Sequence, residues 1–189
     1  MKKTTRVKVE ISARHIHLSA QDLKKLFGPG YVLTPRKNLS QTGEFAAKEE
    51  VILKYKNGQT KARIVGPTRE FSQIELTSTE AIKFGVDAPL RLSGNLKGAP
   101  LIKVSGPRAS VNCPVIIAQR HLHCSPAEAK RLALKNNQRV RVKMSGERAL
   151  VFENVLVRIK TGYTLAVHID TDEANACGLG KICGYGLLF

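Results

Sequence analysis

A chain of 189 residues that is 42% hydrophobic and 24% charged can bury one substantial core or two small ones, which excludes a disordered polymer. No apolar run approaches the roughly 18 residues of a membrane-spanning helix, and "MKKTTRVKVE" alternates like a strand instead of reading as a secretion signal, so no membrane is expected and the cytoplasm is the expected compartment. The charge is +16, from 31 Lys+Arg against 15 Asp+Glu spread along the chain. This favours anionic partners such as nucleic acid, an acidic surface or a phosphorylated small molecule, although 5% aromatics argue against single-stranded nucleic acid, whose bases stack on interleaved rings.

In chain order, a first strand runs into "SARHIHLSAQDLKKLFG", which starts at residue 12, and "AQRHLHCSPAEAKRLAL" at residue 118 repeats its design. Arg14-His15-Ile16-His17 lies over Arg120-His121-Leu122-His123, Ser19 over Ser125 and Leu26 over Leu132. A second pair follows: "IELTSTEAIKFG" (74–85) lies over "VHIDTDEANACG" (167–178), which sets Glu80 on Glu173, Gly85 on Gly178 and Glu75 on His168. The second pair matches at a shorter spacing than the first, so the first half carries extra residues, and "GYVLTPRKNLSQTGEFA" is their expected place. The chain is thus predicted to be an internal duplication.

All four junctions share one local rule. Ser19, Thr77, Ser125 and Asp170 are each followed three positions later by an acid (Asp22, Glu80, Glu128, Glu173), the pattern of a helix N-terminus. Pro126 at a first helical position and Gly85 and Gly178 just past the ends complete it. His17, Glu75, His123 and His168 each stand two residues before a cap, where a strand gives way to a helix. The rest reads as short strands: "EEVILKYKNG", "QTKARIVGP", "PVIIAQRHLH", "QRVRVKMSGE", "LVFENVLVRI" and "YTLAVHID". "SGNLKGAPLIKVSGP" (93–107) has linker composition. The expected fold is mostly β with short helices, two pseudo-duplicated small β-barrels capped by short helices. The expected repeats are 1–98 and 99–189.

On a strand, residues i and i+2 face one side, so both imidazoles of H-x-H point together. One triplet is as readily a surface or core feature. Two in duplicated positions, each with a third His or Glu on its own matching junction, point to metal. Two histidines with a glutamate, and three histidines, are both catalytic zinc sets with an open position. Cys124 faces away from the imidazoles by alternation and is discounted as a ligand. The four cysteines (Cys113, Cys124, Cys177, Cys183) form no C-x-x-C pair and are expected as reduced thiols, with Cys113 and Cys183 as small buried hydrophobes.

The segments "VEISARHIHLS", "RIVGPTREFSQIELT", "RHLHCSP" and "HIDTDEANACG" together resemble the PduL-type phosphotransacylases (phosphate propanoyltransferases), over nearly the whole chain. The resemblance implies interwoven barrels, with the N-terminal strand (4–13) joining the barrel built mostly by the C-terminal half and the active site between the two. It implies two divalent metals, zinc first and cobalt tolerated, one on His15, His17 and Glu75, the other on His121, His123 and His168. It implies that Arg69 binds phosphate as the catalytic side chain, and that Ile11, Ser12 and Ala13, with Lys56, Arg63 and Asn175, contact coenzyme A. Gln119, Cys124 and Ser72 depart from the family's usual residues without touching the ligands. The implied reaction passes a propanoyl or acetyl group between coenzyme A and inorganic phosphate, as in propanediol or acetate metabolism. Protein partners that the resemblance admits are a second copy of the chain or the shell and lumen proteins of a bacterial microcompartment. The chain starts almost on its first strand, so a targeting helix for such a compartment would have to be trimmed.

The chemistry is consistent with a site lacking a spare histidine. Phosphate arrives as an anion, and the coenzyme A thiol leaves as a thiolate because its pKa lies near that of Cys, about 8.5. The barrier is repulsion between anions and charge growing on the carbonyl oxygen, which a metal and Arg69 can offset. Two alternatives stay open at this level: a dizinc hydrolase acting on a thioester or phosphorylated small molecule, although no D-x-H or H-x-x-E-H motif supplies its extra carboxylate, and a basic nucleic-acid-binding module with structural metals.

Overall fold

The computed structural model of the protein describes residues 4–180 and 183–189. Its elements are β1 (Thr5–Ser12), β2 (His15–His17), α1 (Ala20–Phe27), β3 (Pro35–Asn38), β4 (Phe45–Tyr55), β5 (Gly58–Gly66), β6 (Gln73–Leu76), α2 (Ser78–Phe84), β7 (Leu90–Arg91), β8 (Leu101–Ser105), β9 (Ser110–Ala118), β10 (His121–Cys124), α3 (Pro126–Arg131), β11 (Arg139–Met144), β12 (Leu150–Ile159), β13 (Ala166–Asp170), α4 (Thr171–Ala176) and β14 (Cys183–Leu188). They sort into two compact units, Arg14–Ala118 and Met1–Ala13 with Gln119–Phe189. Each is a closed barrel of six strands, so the protein is mostly β with short helices, as its duplicated pattern leads one to expect. No helix is long and apolar enough to cross a membrane.

The duplication extends to the hydrogen-bond ladder. In the C-terminal barrel the order is β1-β13-β10-β12-β11-β14, closed by β14 on β1. In the N-terminal barrel β9-β6-β2-β5-β4-β8 closes in the same way, β8 pairing with both β4 and β9. Every pair has the same sense in both: β1–β13 and β6–β9 are parallel, as are β10–β12 and β2–β5, and the rest are antiparallel. The apolar faces fill one core per barrel. Ile16, Leu53, Ile64, Ile74 and Val104 lie in one, and Val9, Leu122, Val142, Val157 and Val167 in the other.

Leu101–Ser105 lies in the stretch of linker composition, yet its alternation buries Ile102 and Val104, and it holds in its barrel the place that β14 holds in the other. The two strands that lead into the His-x-His strands behave alike: β1 pairs with β13 and β14, and its counterpart β9 with β6 and β8. "PVIIAQRHLH" is accordingly two strands. The chain passes from one unit to the other between Ala118 and Gln119, as it does between Ala13 and Arg14.

Local grammar is obeyed closely. Ser19, Thr77, Ser125 and Asp170 are the N-caps, and the last three close full capping boxes with Glu80, Glu128 and Glu173. At the first junction Ser72 takes over half of the box. Its hydroxyl accepts from Ser19 N (2.9 Å) and donates to Asp22 Oδ2 (2.6 Å). Gly85 and Gly178 both adopt φ 69° past their helices, the left-handed turn that lacks a penalty only for glycine. The extra residues between α1 and β4 carry β3, an exposed strand on the edge of β4.

Cys113, Cys124 and Cys177 are buried and no cysteine is bonded to another. Cys183 is exposed, against expectation. On β14 the inward positions are Gly186 and Leu188, so Cys183 shares the outward parity of Tyr185 and Leu187.

Candidate active site and metal centre

His15 and His17 end β2 side by side, paired antiparallel with β6 so that His15 faces Glu75 across the ladder. Parallel β5 flanks them on the other side, with Arg63 opposite His15. Their rings meet edge to face at 88°, and the two Nε2 atoms are 3.1 Å apart. Glu75 Oε2 is 3.6 Å from His15 Nε2, and its Oε1 is 4.0 Å from His17 Nε2. Among the described residues this is the His/Cys/Asp/Glu group whose ligand atoms all lie within 4.8 Å of one another.

The surrounding groups aim these donors. His17 Nδ1 lies 3.0 Å from the Val65 carbonyl, so it carries the proton and leaves the Nε2 lone pair facing the cluster. Burial, then the neighbouring His15 and Arg69 charges, hold the His17 imidazole well below its ordinary pKa, which keeps it neutral, as a ligand must be. Burial acts to raise the pKa of Glu75, but the His15 charge, the Ser93 hydroxyl and Arg69 outweigh it and bring it down to about 2. The carboxylate is therefore ionised. Gln73 Nε2 donates to Glu75 Oε1 (2.6 Å) and to Ser93 Oγ (2.5 Å), while Gln73 Oε1 accepts from Gly94 N (2.8 Å). Two imidazole nitrogens and one carboxylate, oriented by a second layer of hydrogen bonds, are a donor set that fits a divalent cation.

Arg69 belongs to the same network. Its backbone N–H donates to Leu18 O (2.9 Å), which ties its loop to the turn after His17. Its guanidinium donates from Nη1 to Ser93 Oγ (3.0 Å) and from Nη2 to Glu44 Oε1 (2.8 Å). Glu44, Gln73 and Ser93 are site residues that the sequence reading missed. Glu44 and Ser93 are distant in sequence and carry no local signal, whereas Gln73 could have been found, standing two residues before Glu75 on the same strand face.

In the C-terminal barrel His121, His123 and His168 gather in the equivalent place, with His121 opposite His168 on the β10–β13 ladder. Ring centroids are 4.5 Å (His121–His123), 5.2 Å (His121–His168) and 4.8 Å (His123–His168) apart. His121 and His168 lie face to face at 11°, so their nitrogens converge less than those of the first cluster. His121 Nδ1 is 2.8 Å from Gln119 O, which again frees Nε2. His123 stacks on Tyr163 at 3.9 Å. Glu10, opposite His168 on the β1–β13 ladder, places Oε2 3.8 Å from His168 Nε2, with Lys8 on its other oxygen at 2.5 Å. Neither Glu10 nor Tyr163 was anticipated.

A family model described as phosphate propanoyltransferase matches residues 8–180. The chain belongs to the phosphate propanoyltransferase family. It is 47% identical over 172 residues to the phosphate propanoyltransferase of Salmonella typhimurium, covering 89% of this chain and 81% of the relative. To that of Sebaldella termitidis it is 46% identical over 173 residues, with 90% and 82% covered, and to that of Thermotoga maritima 43% over 183, with 95% and 87% covered. As a phosphate propanoyltransferase family member the chain is an acyltransferase.

The remaining family-implied positions separate by unit. Ile11, Ala13 and Asn175 line one groove of the C-terminal barrel with Thr171, Ala174 and Leu179, and Ser12 ends β1 opposite Asp170. Arg63 lies on β5 of the N-terminal barrel, where it donates to the Ala47 carbonyl (2.9 Å) and ion-pairs with Glu50. Lys56 is exposed at the β4–β5 turn, 5.7 Å above the Tyr55 ring.

Proposed function

We propose that this acyltransferase moves a short acyl group, propanoyl or acetyl, between coenzyme A and inorganic phosphate by direct attack of phosphate on the thioester carbonyl, without an acyl-enzyme. The observation that carries the reading is the continuous chain of contacts from His15, His17 and Glu75 through Gln73 and Ser93 to Arg69. His15, His17 and Glu75 would hold one divalent cation. His121, His123 and His168 would hold another, with Glu10 as a further oxygen donor on the second set. A divalent ion so held would supply Lewis-acid polarisation of the carbonyl and stabilisation of charge on its oxygen.

The protein's own groups do the rest. Arg69 presents two N–H directions toward a tetrahedral oxyanion, and phosphate entering the site takes over the contacts that Glu44 and Ser93 now accept. No side chain has to remove a proton, because phosphate is already anionic and the departing sulfur is stable as a thiolate. The net charge of +16 attracts coenzyme A, which carries three phosphate groups. Ile11, Ser12, Ala13 and Asn175, with Lys56 and Arg63, are the proposed coenzyme A contacts.

Product identity tests this reading. Incubation with propanoyl-CoA and phosphate is expected to give one acyl phosphate, trapped as a hydroxamate, for each thiol released. Free propanoate appearing without acyl phosphate would replace it with the thioester hydrolase.

A further inference from the structure

Both His-x-His triplets are preceded by an arginine, and neither arginine belongs to the donor sets above. Arg14 donates from Nε to the Lys61 carbonyl on β5 (2.8 Å) and from Nη1 to Glu80 Oε1. Glu80 Oε2 in turn accepts from Thr77 N (3.1 Å), two residues beyond Glu75. In the other barrel Arg120 donates from Nε to the Glu153 carbonyl on β12 (2.8 Å) and from Nη1 to Glu173 Oε1 (2.5 Å). Glu173 Oε2 accepts from Asp170 N (3.0 Å), two residues beyond His168. The same guanidinium atoms meet the same classes of acceptor twice.

What the two halves share identifies what the contact reads. The arginine and the capping glutamate recur, whereas the residue offering the carbonyl is Lys61 in one half and Glu153 in the other, because only its backbone oxygen is used. Each guanidinium thus joins three elements: the strand carrying the histidine pair, the neighbouring parallel strand, and the helix cap that ends the strand carrying the third ligand. A rigid fork of two N–H groups fixes the separation of those elements, which a flexible ammonium cannot do. Binding a cation requires ligands held to within a fraction of an ångström by such outer contacts.

We infer that Arg14 and Arg120 are positioning residues for the two metal clusters, each setting the distance between its His-x-His pair and the third ligand. The inference rests on the metal-binding reading above. It is tested with Arg14→Lys and Arg120→Lys, which keep the charge and lose the fork, by measuring release of bound zinc to a chromogenic chelator well below the unfolding temperature. Arg14→Lys is expected to speed loss of one metal equivalent about tenfold or more, the size typical of lost outer-layer contacts. Arg120→Lys is expected to do the same for the other equivalent, and the double variant for both. Arg141→Lys, at an exposed arginine paired with Glu153 (3.8 Å), is the control for losing a guanidinium fork that touches neither cluster and is expected to release metal at the unaltered rate. Should Arg14→Lys not fold, Glu80→Gln removes the same ion pair and is read in the same way. Metal-loaded variants that release zinc at the wild-type rate overturn the inference and leave the metal reading standing. A wild-type protein that takes up no metal overturns the reading beneath it.

Discussion

His15 and His17 hold their Nε2 atoms 3.1 Å apart. Two nitrogen lone pairs this close repel each other unless a proton or a cation lies between them. His17 has committed its Nδ1 proton to Val65 O, and the Glu75 carboxylate completes the third corner. A divalent cation at this point would meet both nitrogens and the carboxylate together.

The outer contacts of that corner carry the first prediction. Gln73 orients Glu75 with one hydrogen bond and is itself held by Gly94 N. Gln73→Leu keeps the volume and removes both. It is expected to weaken zinc affinity about 10–100-fold, measured by competition with a chelator of known affinity, with the melting temperature reporting fold integrity.

Arg69 carries the second. A lysine in its place retains the charge but offers a single point donor and cannot reach both Ser93 and Glu44. Arg69→Lys is expected to raise KM for phosphate about tenfold, roughly 1.4 kcal/mol, while KM for the acyl-CoA stays near the wild-type value. Steady-state kinetics with each substrate varied separately will show it.

The thiols carry the third. Burial pushes Cys113 up to about 12 and raises Cys124, so neither supplies a thiolate near neutral pH. Cys183, exposed on the outer face of β14, is expected to be the first cysteine modified by a maleimide, seen by mass spectrometry of the partly labelled chain. Cys124→Ala is expected to keep the wild-type kcat, and no acyl-cysteine should accumulate on quenching with propanoyl-CoA.

The helix ends carry the fourth. Gly85 and Gly178 sit at φ 69°, so an alanine at either place costs about 1–2 kcal/mol. At Gly85 the new Cβ would also displace the Asn57 amide, and at Gly178 it would only touch Arg148. Gly85→Ala is therefore expected to lower the melting temperature at least as much as Gly178→Ala, by calorimetry.

The clustering of the His and Glu side chains and the helix caps were legible in the sequence because they obey short-range rules. The i,i+2 parity of a strand and the three-residue span of a capping box need no knowledge of the fold, and the duplication displayed each rule twice. Ser93 and Glu44 obey no such rule: they reach Arg69 from 24 and 25 residues away, across turns whose path only tertiary packing decides. Glu10 is the extreme case, set beside His168 by a parallel ladder between the two ends of the chain. The stretch around Leu101–Ser105 read as a linker for a related reason. Gly, Asn and Pro around β8 suggest a linker, and only its pairing with β4 and β9 makes it the counterpart of β14. Cys183 was misread because small apolar residues favour burial on average, while the parity of β14 turns this one outward.

Metal-assisted acyl transfer to phosphate is tested most directly by thiol release from propanoyl-CoA, measured with and without phosphate, before and after removal of bound metal. The expected result is rapid release only when phosphate and metal are both present, recovered on adding back zinc or cobalt. Release that proceeds without phosphate, or that survives complete chelation, would contradict it.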